Sequence, residues 1–318
     1  MTDKLVIALA QLNPTVGKIG ANLEKLRETR KKAAEEGADL ILTSELYTCG
    51  YPPEDLVRKP QFISSLRSAV EAFSSETSDG GPAVLLGTPW VESDRLHNSL
   101  VLIEGGAVTT ARHKYDLPNY GVFDEKRVFD PGPMPGPISF KDVRIGVPIC
   151  EDIWTPEVVE CITETGGEII LVPNGSPFEA GKTDMRGHHA VARVVESKRP
   201  LVYLNQIGGQ DELVFDGASF IMNADRTISW QLPAWQENLA ITHWKRRGDG
   251  WICEQGNTCN LETGLEATYQ AMTLGLRDYV NKNGFPGVIL GMSGGIDSAL
   301  SAAVAVDALG SHRVHCVM

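Results

Sequence analysis

A chain of 318 residues, 42% hydrophobic and 22% charged, has the composition of an ordinary folded protein and length enough for two domains. Acidic side chains outnumber basic ones by 41 to 29, a net charge of −12 that argues against a general nucleic-acid-binding or anionic-membrane-binding surface. Six scattered cysteines without a C-x-x-C pair point to a reduced, cytoplasmic setting, and no stretch approaches the roughly 20 apolar residues of a membrane span.

At the N-terminus Lys4 precedes a short apolar run, 5–10, that imitates a secretory signal; Gln11 and Asn13 follow too soon, and the run reads as a buried first strand. Further strands are expected over 40–43, 83–91, 96–103, 108–113, 143–149, 168–172 and 201–205, the first strand itself covering 5–12. Helices are expected over 22–36, 61–73, 156–165 and 183–197, with Gly or Pro punctuating most of their ends. The segments 215–222, 227–230 and 239–243 then read as strands without helices between them. Strand–helix units combined with antiparallel strands specify an α/β layered domain with a mixed sheet, residues 1–245. Arg246, Arg247, Gly248, Gly250 and Gly256 break the rhythm, so 246–263 reads as a connector. A second unit, 264–318, follows: a helix over 265–281, a strand over 288–292, a Gly-rich loop, a helix over 297–309 and a strand over 314–318. One strand–helix–strand unit cannot bury both faces of a parallel sheet, so this unit is expected to be the incomplete beginning of a domain. No internal repeat or low-complexity segment is present.

Three polar residues each follow an expected strand, where catalytic groups of α/β proteins gather: Glu45, Lys114 and Cys150. Singly they carry little weight, since a lone cysteine is ordinarily a small buried hydrophobe and a loop Glu or Lys is ordinarily solvated. Together they suit amide cleavage. A thiol attacks a carboxamide as thiolate and needs a base or a cation beside it. Glu45 would take the thiol proton and return it to departing ammonia; Lys114 would stabilise the tetrahedral oxyanion, a contribution of about 3–4 kcal/mol per donor.

The flanking residues strengthen this reading. Ser44-Glu45-Leu46 with Gly50-Tyr51-Pro52, His113-Lys114-Tyr115-Asp116-Leu117-Pro118, and Gly146-Val147-Pro148-Ile149-Cys150-Glu151-Asp152 resemble, in order, the three signature regions of the nitrilase superfamily. The resemblance spans about residues 4–245 and implies an α-β-β-α sandwich with a Glu-Lys-Cys triad at Glu45, Lys114 and Cys150. Residues 117–129 and Asn174-Gly175-Ser176-Pro177-Phe178 look like the glutaminase branch of glutamine-dependent NAD synthetases. By that resemblance Tyr120, Glu151, Ser176 and Lys182 would contact glutamine, Lys182 standing where some relatives have an arginine and so keeping the charge without bidentate geometry. Trp154 reads either as a pocket wall or as a structural tryptophan. Glu125 reads either as an acid orienting Lys114 or as a surface partner of Lys126 or Arg127. The pair His188 and His189 lacks acidic or cysteine ligands at matching spacing and reads as a solvated helix face; Cys253 and Cys259 likewise lack the histidines of a zinc site.

In the second unit Ser293-Gly294-Gly295-Ile296-Asp297-Ser298 follows an apolar strand and opens an Ala-rich helix. Such a turn presents N–H groups and a helix dipole to an anion, yet it lacks the Gly-Lys-Ser/Thr ending of a Walker loop. It resembles the loop of the ATP-pyrophosphatase family, a Rossmann-like fold. That resemblance implies that Ser293, Gly294, Gly295 and Ser298 hold ATP phosphates while Asp297 acts through Mg²⁺. The plainer reading is a helix start capped by Asp297 or Ser298.

Both signals together imply glutamine-dependent synthesis of NAD: ammonia from glutamine would reach an adenylated nicotinate adenine dinucleotide, giving NAD, AMP and pyrophosphate. The chain given is expected to hydrolyse glutamine at most, because the remaining nucleotide pocket would lie beyond it, and to self-associate into a homo-oligomer. The alternatives are an amidohydrolase of another small amide, or a scaffold that keeps the fold without catalysis.

Overall fold

The computed structural model describes residues 2–248 and 250–318, with the side chains of 182–184 outside the description. In chain order the strands of the first unit are β1 (Lys4–Gln11), β2 (Leu40–Leu42), β3 (Ala83–Glu92), β4 (Arg95–Glu104), β5 (Ala107–His113), β6 (Ile138–Phe140), β7 (Val143–Gly146), β8 (Ile169–Asn174), β9 (Leu201–Asn205), β10 (Ile207–Gln210), β11 (Leu213–Asp216), β12 (Phe220–Met222), β13 (Ile228–Gln231), β14 (Asn238–Arg247) and β15 (Gly250–Cys253). The helices are α1 (Ile19–Glu35), α2 (Pro60–Glu76), α3 (Glu157–Glu164) and α4 (Lys182–Ser197).

Two sheets face each other. One has the order β15-β14-β1-β2-β3-β4-β5 and the other β13-β12-β9-β8-β7-β6. In each, three central strands are parallel, β1-β2-β3 and β7-β8-β9, linked through α1 and α2 or α3 and α4, while the flanking strands run antiparallel. Alternation along a strand then sorts side chains between layers. Leu5, Ile7 and Leu9 of β1 point to the inter-sheet core, where they join Ile145, Leu171 and Leu204 from the opposite sheet. Ala8 and Ala10, one residue out of phase, face α1 and α2, packing with Leu23, Leu26, Val70 and Phe73. On the far side Val172 and Tyr203 pack with Val159, Ile162, Ala190 and Val194 from α3 and α4. The result is the four-layered α-β-β-α sandwich expected, with β1 buried as a central strand.

Three expectations require correction. The strand expected over 143–149 ends at Gly146, because Pro148 has no N–H for a ladder and the chain swings out toward Cys150. The strand expected over 215–222 is two, β11 and β12, separated by Gly217 and Ala218 with φ of +71° and +52°. The expected connector 246–263 instead begins as sheet: β14 continues to Arg247 and turns into β15, whose Cys253 and Ile252 pair with Trp244 and Lys245, and Thr258 bridges to Gln231. Strands β6 and β10 carried too few residues to be distinguished from loop by periodicity.

The second unit consists of α5 (Gly264–Lys282), β16 (Val288–Gly291), α6 (Ile296–Leu309) and β17 (Val314–Val317), with β16 and β17 parallel. Helix α5 lies against β10. A Cβ built on Gly209 would stand 2.9 Å from the Cα of Gly275, so both glycines serve the close approach. Buried Asp278 accepts from Asn13 Nδ2 (2.6 Å) and from the Gly209 amide (2.8 Å), and Lys282 Nζ donates to the carbonyls of Gly209 (2.8 Å) and Pro14 (3.1 Å). No helix among the described residues is long and apolar enough to cross a membrane.

Candidate active site

The three singled-out residues converge where strands end. Beyond β2 the chain turns sharply through Thr43, Ser44 and Glu45, with Leu46 at φ +49°. The turn presses on β3: a Cβ at Gly87 would fall 2.1 Å from the Ser44 carbonyl oxygen, so only glycine fits there. The Gly87 amide donates to Thr43 Oγ1 (3.0 Å), and Thr48 Oγ1 donates to the Gly87 carbonyl (2.9 Å), fixing Glu45 against the strand. Lys114 follows β5. Its amide donates to Asn98 O (2.8 Å) and its carbonyl accepts from Gly132 N (2.7 Å). Cys150 opens a short 3₁₀ turn, Cys150–Ile153, with φ at +47°, a conformation that costs a non-glycine residue free energy unless its surroundings enforce it.

Lys114 Nζ sits between two carboxylates, 2.6 Å from Glu45 Oε1 and 2.9 Å from Glu125 Oε1. Glu45, Lys114 and Glu125 are 1%, 1% and 4% exposed, so this is an ion cluster removed from water. Its remaining acceptor positions are also used. Asn98 Nδ2 donates to Glu45 Oε1 (2.7 Å) and to Glu125 Oε2 (3.3 Å), the Gly175 amide donates to Glu45 Oε2 (2.8 Å), and the Tyr51 hydroxyl donates to Glu125 Oε1 (2.8 Å). Charges stripped of water persist when hydrogen-bonded in this way.

Electrostatics set the resting protonation. Burial pushes the Cys150 thiol well above its ordinary value; the Glu45 carboxylate adds to this, and Lys114 acts against it. The thiol is therefore neutral at rest. Burial disfavours the Lys114 charge, but Glu125 and Glu45 outweigh it and hold the ammonium firmly protonated. Burial raises Glu125, against the opposing pull of Lys114. Asp152, wholly buried, is pushed up to about 7 by burial, opposed by the amides of Asp116 and Ile149 that it accepts.

Around this centre, Tyr120 is half exposed and its hydroxyl donates to both oxygens of Glu151, at 2.8 and 3.0 Å. Burial raises the Glu151 carboxyl, and the Tyr120 hydrogen bond lowers it in part. Ser176 is buried on the loop after β8; its amide donates to Asn205 Oδ1 (2.9 Å), and its hydroxyl and carbonyl accept from Arg186 at 3.1 and 2.7 Å. Arg186, also buried, forms an ion pair with Asp216, its Nη1 donating to both carboxylate oxygens at 2.8 and 2.9 Å. The side chain of Lys182 lies outside the described residues. Glu125 turns inward to Lys114, whereas Arg127 engages Glu54, Asp55 and Asp124. Trp154 packs its ring on His189, centroids 4.3 Å apart, so His189 is part of the α4 packing rather than solvated as expected; His188 is exposed. Among the described residues no cluster of three metal-ligating side chains occurs, and all six cysteines are unpaired.

Asn98, Asp152, Arg186 and Asp216 were not singled out from sequence. Asp152 and Tyr51 stood inside the motifs that carried the resemblance; Asn98 and Arg186 gave no signal, since a strand asparagine and a helix arginine are commonplace.

In the second unit the loop between β16 and α6 is exposed. Gly294 has φ +79°, and the residue capping α6 is Gly295 rather than Asp297 or Ser298, which lie in the first turn. Ser298 Oγ donates to the Gly295 carbonyl (3.0 Å) and stands 3.3 Å from Ser293 Oγ.

Residues 6–247 match the profile of the carbon-nitrogen hydrolases. The chain belongs to the carbon-nitrogen hydrolase family. Residues 268–318 match the profile of NAD synthase. Among relatives of this carbon-nitrogen hydrolase chain, the glutamine-dependent NAD(+) synthetase of Rhodobacter capsulatus is 44% identical over 318 residues, covering 100% of this chain and 57% of that protein. The enzyme of the same name from Acinetobacter baylyi is 38% identical, covering 98% and 57%. The chain thus spans 57% of the length of these curated relatives. The solved structure of glutamine-dependent NAD+ synthetase from Acinetobacter baumannii with ADP superposes with a TM-score of 0.93 at 38% identity, over 99% of this chain and 59% of that one. A mutant amidase from Nesterenkonia sp. AN1, carrying an acrylamide Michael adduct at its active-site cysteine, superposes with a TM-score of 0.66 at 26% identity, over 77% and 94%.

Proposed function

We propose that this chain hydrolyses glutamine at Cys150 and that the ammonia serves an ATP-dependent amidation of nicotinate adenine dinucleotide to NAD. The observation that carries the reading is the dry Glu45–Lys114–Glu125 cluster bearing on a strained, neutral Cys150 thiol. As the sulfur bonds to the carboxamide carbon, the thiol proton passes to Glu45, so the thiolate exists only while substrate is present. Lys114 stabilises the oxyanion of the tetrahedral adduct, and Glu125 with Tyr51 keeps the ammonium directed at it. Glu45 returns its proton to the nitrogen, the C–N bond breaks and ammonia leaves a glutamyl-thioester. Water then gives a proton to Glu45 while its oxygen attacks the thioester, and the departing sulfur recovers that proton with release of glutamate. Glu151, hydrogen-bonded by Tyr120, offers the anionic partner for the α-ammonium; Ser176 and Lys182 complete the recognition of the amino acid. The nicotinate dinucleotide, ATP and Mg²⁺ belong to the second unit. The turn at Gly294 and Gly295, with helix α6 behind it and two hydroxyls at its mouth, fits a phosphate group. Asp297 would hold Mg²⁺, which would supply neutralisation of phosphate charge there. A cytoplasmic location and assembly as a homo-oligomer complete this reading.

Ammonia release from glutamine tests the reading, with other small amides as competitors. Wild type is expected to release it and Cys150→Ser to fall below about 1% of wild type. Undiminished release by the variant ends the proposal.

A further inference from the structure

Cys150 and Lys114 arrive at the site on separate loops that belong to different sheets, and no ladder joins those loops. Side chains do: Tyr120 donates to Glu151, Thr155 Oγ1 donates to Asp116 Oδ2 (3.4 Å), and Asp152 ties the residues that flank Lys114 and Cys150 themselves. Asp152 Oδ1 accepts from the amides of Tyr115 (3.0 Å) and Asp116 (2.7 Å), the two residues after Lys114. Its other oxygen, Oδ2, accepts from the amide of Ile149 (2.9 Å), the residue before Cys150, while its own amide donates to the Ile149 carbonyl (3.1 Å). The second pair closes a ring around Cys150 and holds the backbone at φ +47°. We infer that Asp152 is a positioning residue that fixes the Lys114 ammonium and the Cys150 thiol relative to each other; the inference rests on the amide-cleaving reading of that pair.

The requirement is for an acceptor at both ends of a short side chain. Asparagine has the same size but one acceptor end and one donor end. Turned one way it keeps Tyr115 and Asp116 and sets its NH₂ against the Ile149 N–H; turned the other way it keeps Ile149 and loses the lysine loop. In either orientation one of the two loops loses its tie to residue 152. Reacting atoms misplaced by about 1 Å lower turnover about 10²-fold.

Asp152→Asn is therefore expected to lower kcat for glutamine about 10²-fold with KM changed less than about 3-fold. It is also expected to slow alkylation of Cys150 by iodoacetamide, measured well below the melting temperature. A purely structural role would lower Tm and leave kcat per folded molecule and the alkylation rate within about two-fold of wild type; that result overturns the inference. If the variant does not fold, hydrogen–deuterium exchange on the wild type decides: protected amides at Tyr115, Asp116 and Ile149, which lie in no helix or strand, are expected, and fast exchange at all three overturns it. Failure of wild type to hydrolyse glutamine would count against the proposed function alone, since alkylation and exchange read the clamp without substrate.

Discussion

Replacing Lys114 by Met keeps most of the side-chain volume and removes the single cation between two buried carboxylates. Glu45 and Glu125, at 2.6 and 2.9 Å from Nζ, then face each other with only neutral donors. Removing one partner of a buried ion pair costs about 3–5 kcal/mol, a large share of the roughly 5–15 kcal/mol that holds a domain folded. The cost depends on pH in a defined direction. Burial already raises Glu125 in the folded protein, with Lys114 opposing; without Lys114 it rises further. A group raised on folding contributes stability that is present below its unfolded value of about 4.5 and lost as pH rises through the folded value. Lys114→Met should therefore lie close to wild type near pH 4.5 and far below it at pH 8 in thermal or urea unfolding. At pH 7.5 glutamine hydrolysis should fall about 10²–10³-fold through the missing oxyanion donor. Alkylation of Cys150 should also slow, because the Lys114 charge, which favours the thiolate, is gone. A stability deficit independent of pH, or activity within ten-fold of wild type, would refute this account of the cluster.

Two further substitutions probe how the centre is carried. Gly87→Ala places a Cβ 2.1 Å from the Ser44 carbonyl and must displace the turn bearing Glu45, at about 1–3 kcal/mol of stability and about 10²-fold in turnover; Gly20→Ala, where a Cβ meets nothing within 4 Å, should change neither by comparison, as paired unfolding and ammonia-release measurements would show. Arg186→Met leaves Asp216 buried without its cation and should cost about 3–5 kcal/mol and raise the KM for glutamine through the loosened Ser176 loop. Adding Asp216→Leu should restore part of the stability in a double-mutant cycle; simple additivity would show that the pair does not act as one unit.

The layered fold was legible because its strands and helices differ in period, and β1 or β9 could be read almost to the residue. The features without such a period depend on single residues or on pairing. Gly217 and Ala218 break a continuous apolar run through backbone sign alone, and β15 is a strand only because β14 lies beside it. The triad was legible because Glu45, Lys114 and Cys150 each follow a strand inside a dense motif. Asn98 was not, since its role depends on β4 passing between two carboxylates contributed by residues 53 and 27 positions away. Arg186 was hidden similarly: nothing in α4 indicates that one buried arginine turns onto Ser176 and Asp216 while the other, Arg193, pairs with Glu196 on its own helix.

The composition of the centre follows from the state in which the thiol must wait. A permanent thiolate would need more positive than negative charge around Cys150. The structure sets the Lys114 ammonium against the carboxylates of Glu45, Glu151 and Glu125, and burial and the carboxylates together favour the neutral thiol. Such a sulfur is protected from adventitious alkylation and oxidation, which follow thiolate character. Attack then depends on Glu45 accepting the proton as the carboxamide bonds to sulfur, at which moment negative charge moves to the amide oxygen and Lys114 has a partner it lacks at rest. The cluster that opposes ionisation in the free protein is thereby complementary to the adduct, and this difference between ground state and transition state is what accelerates the reaction.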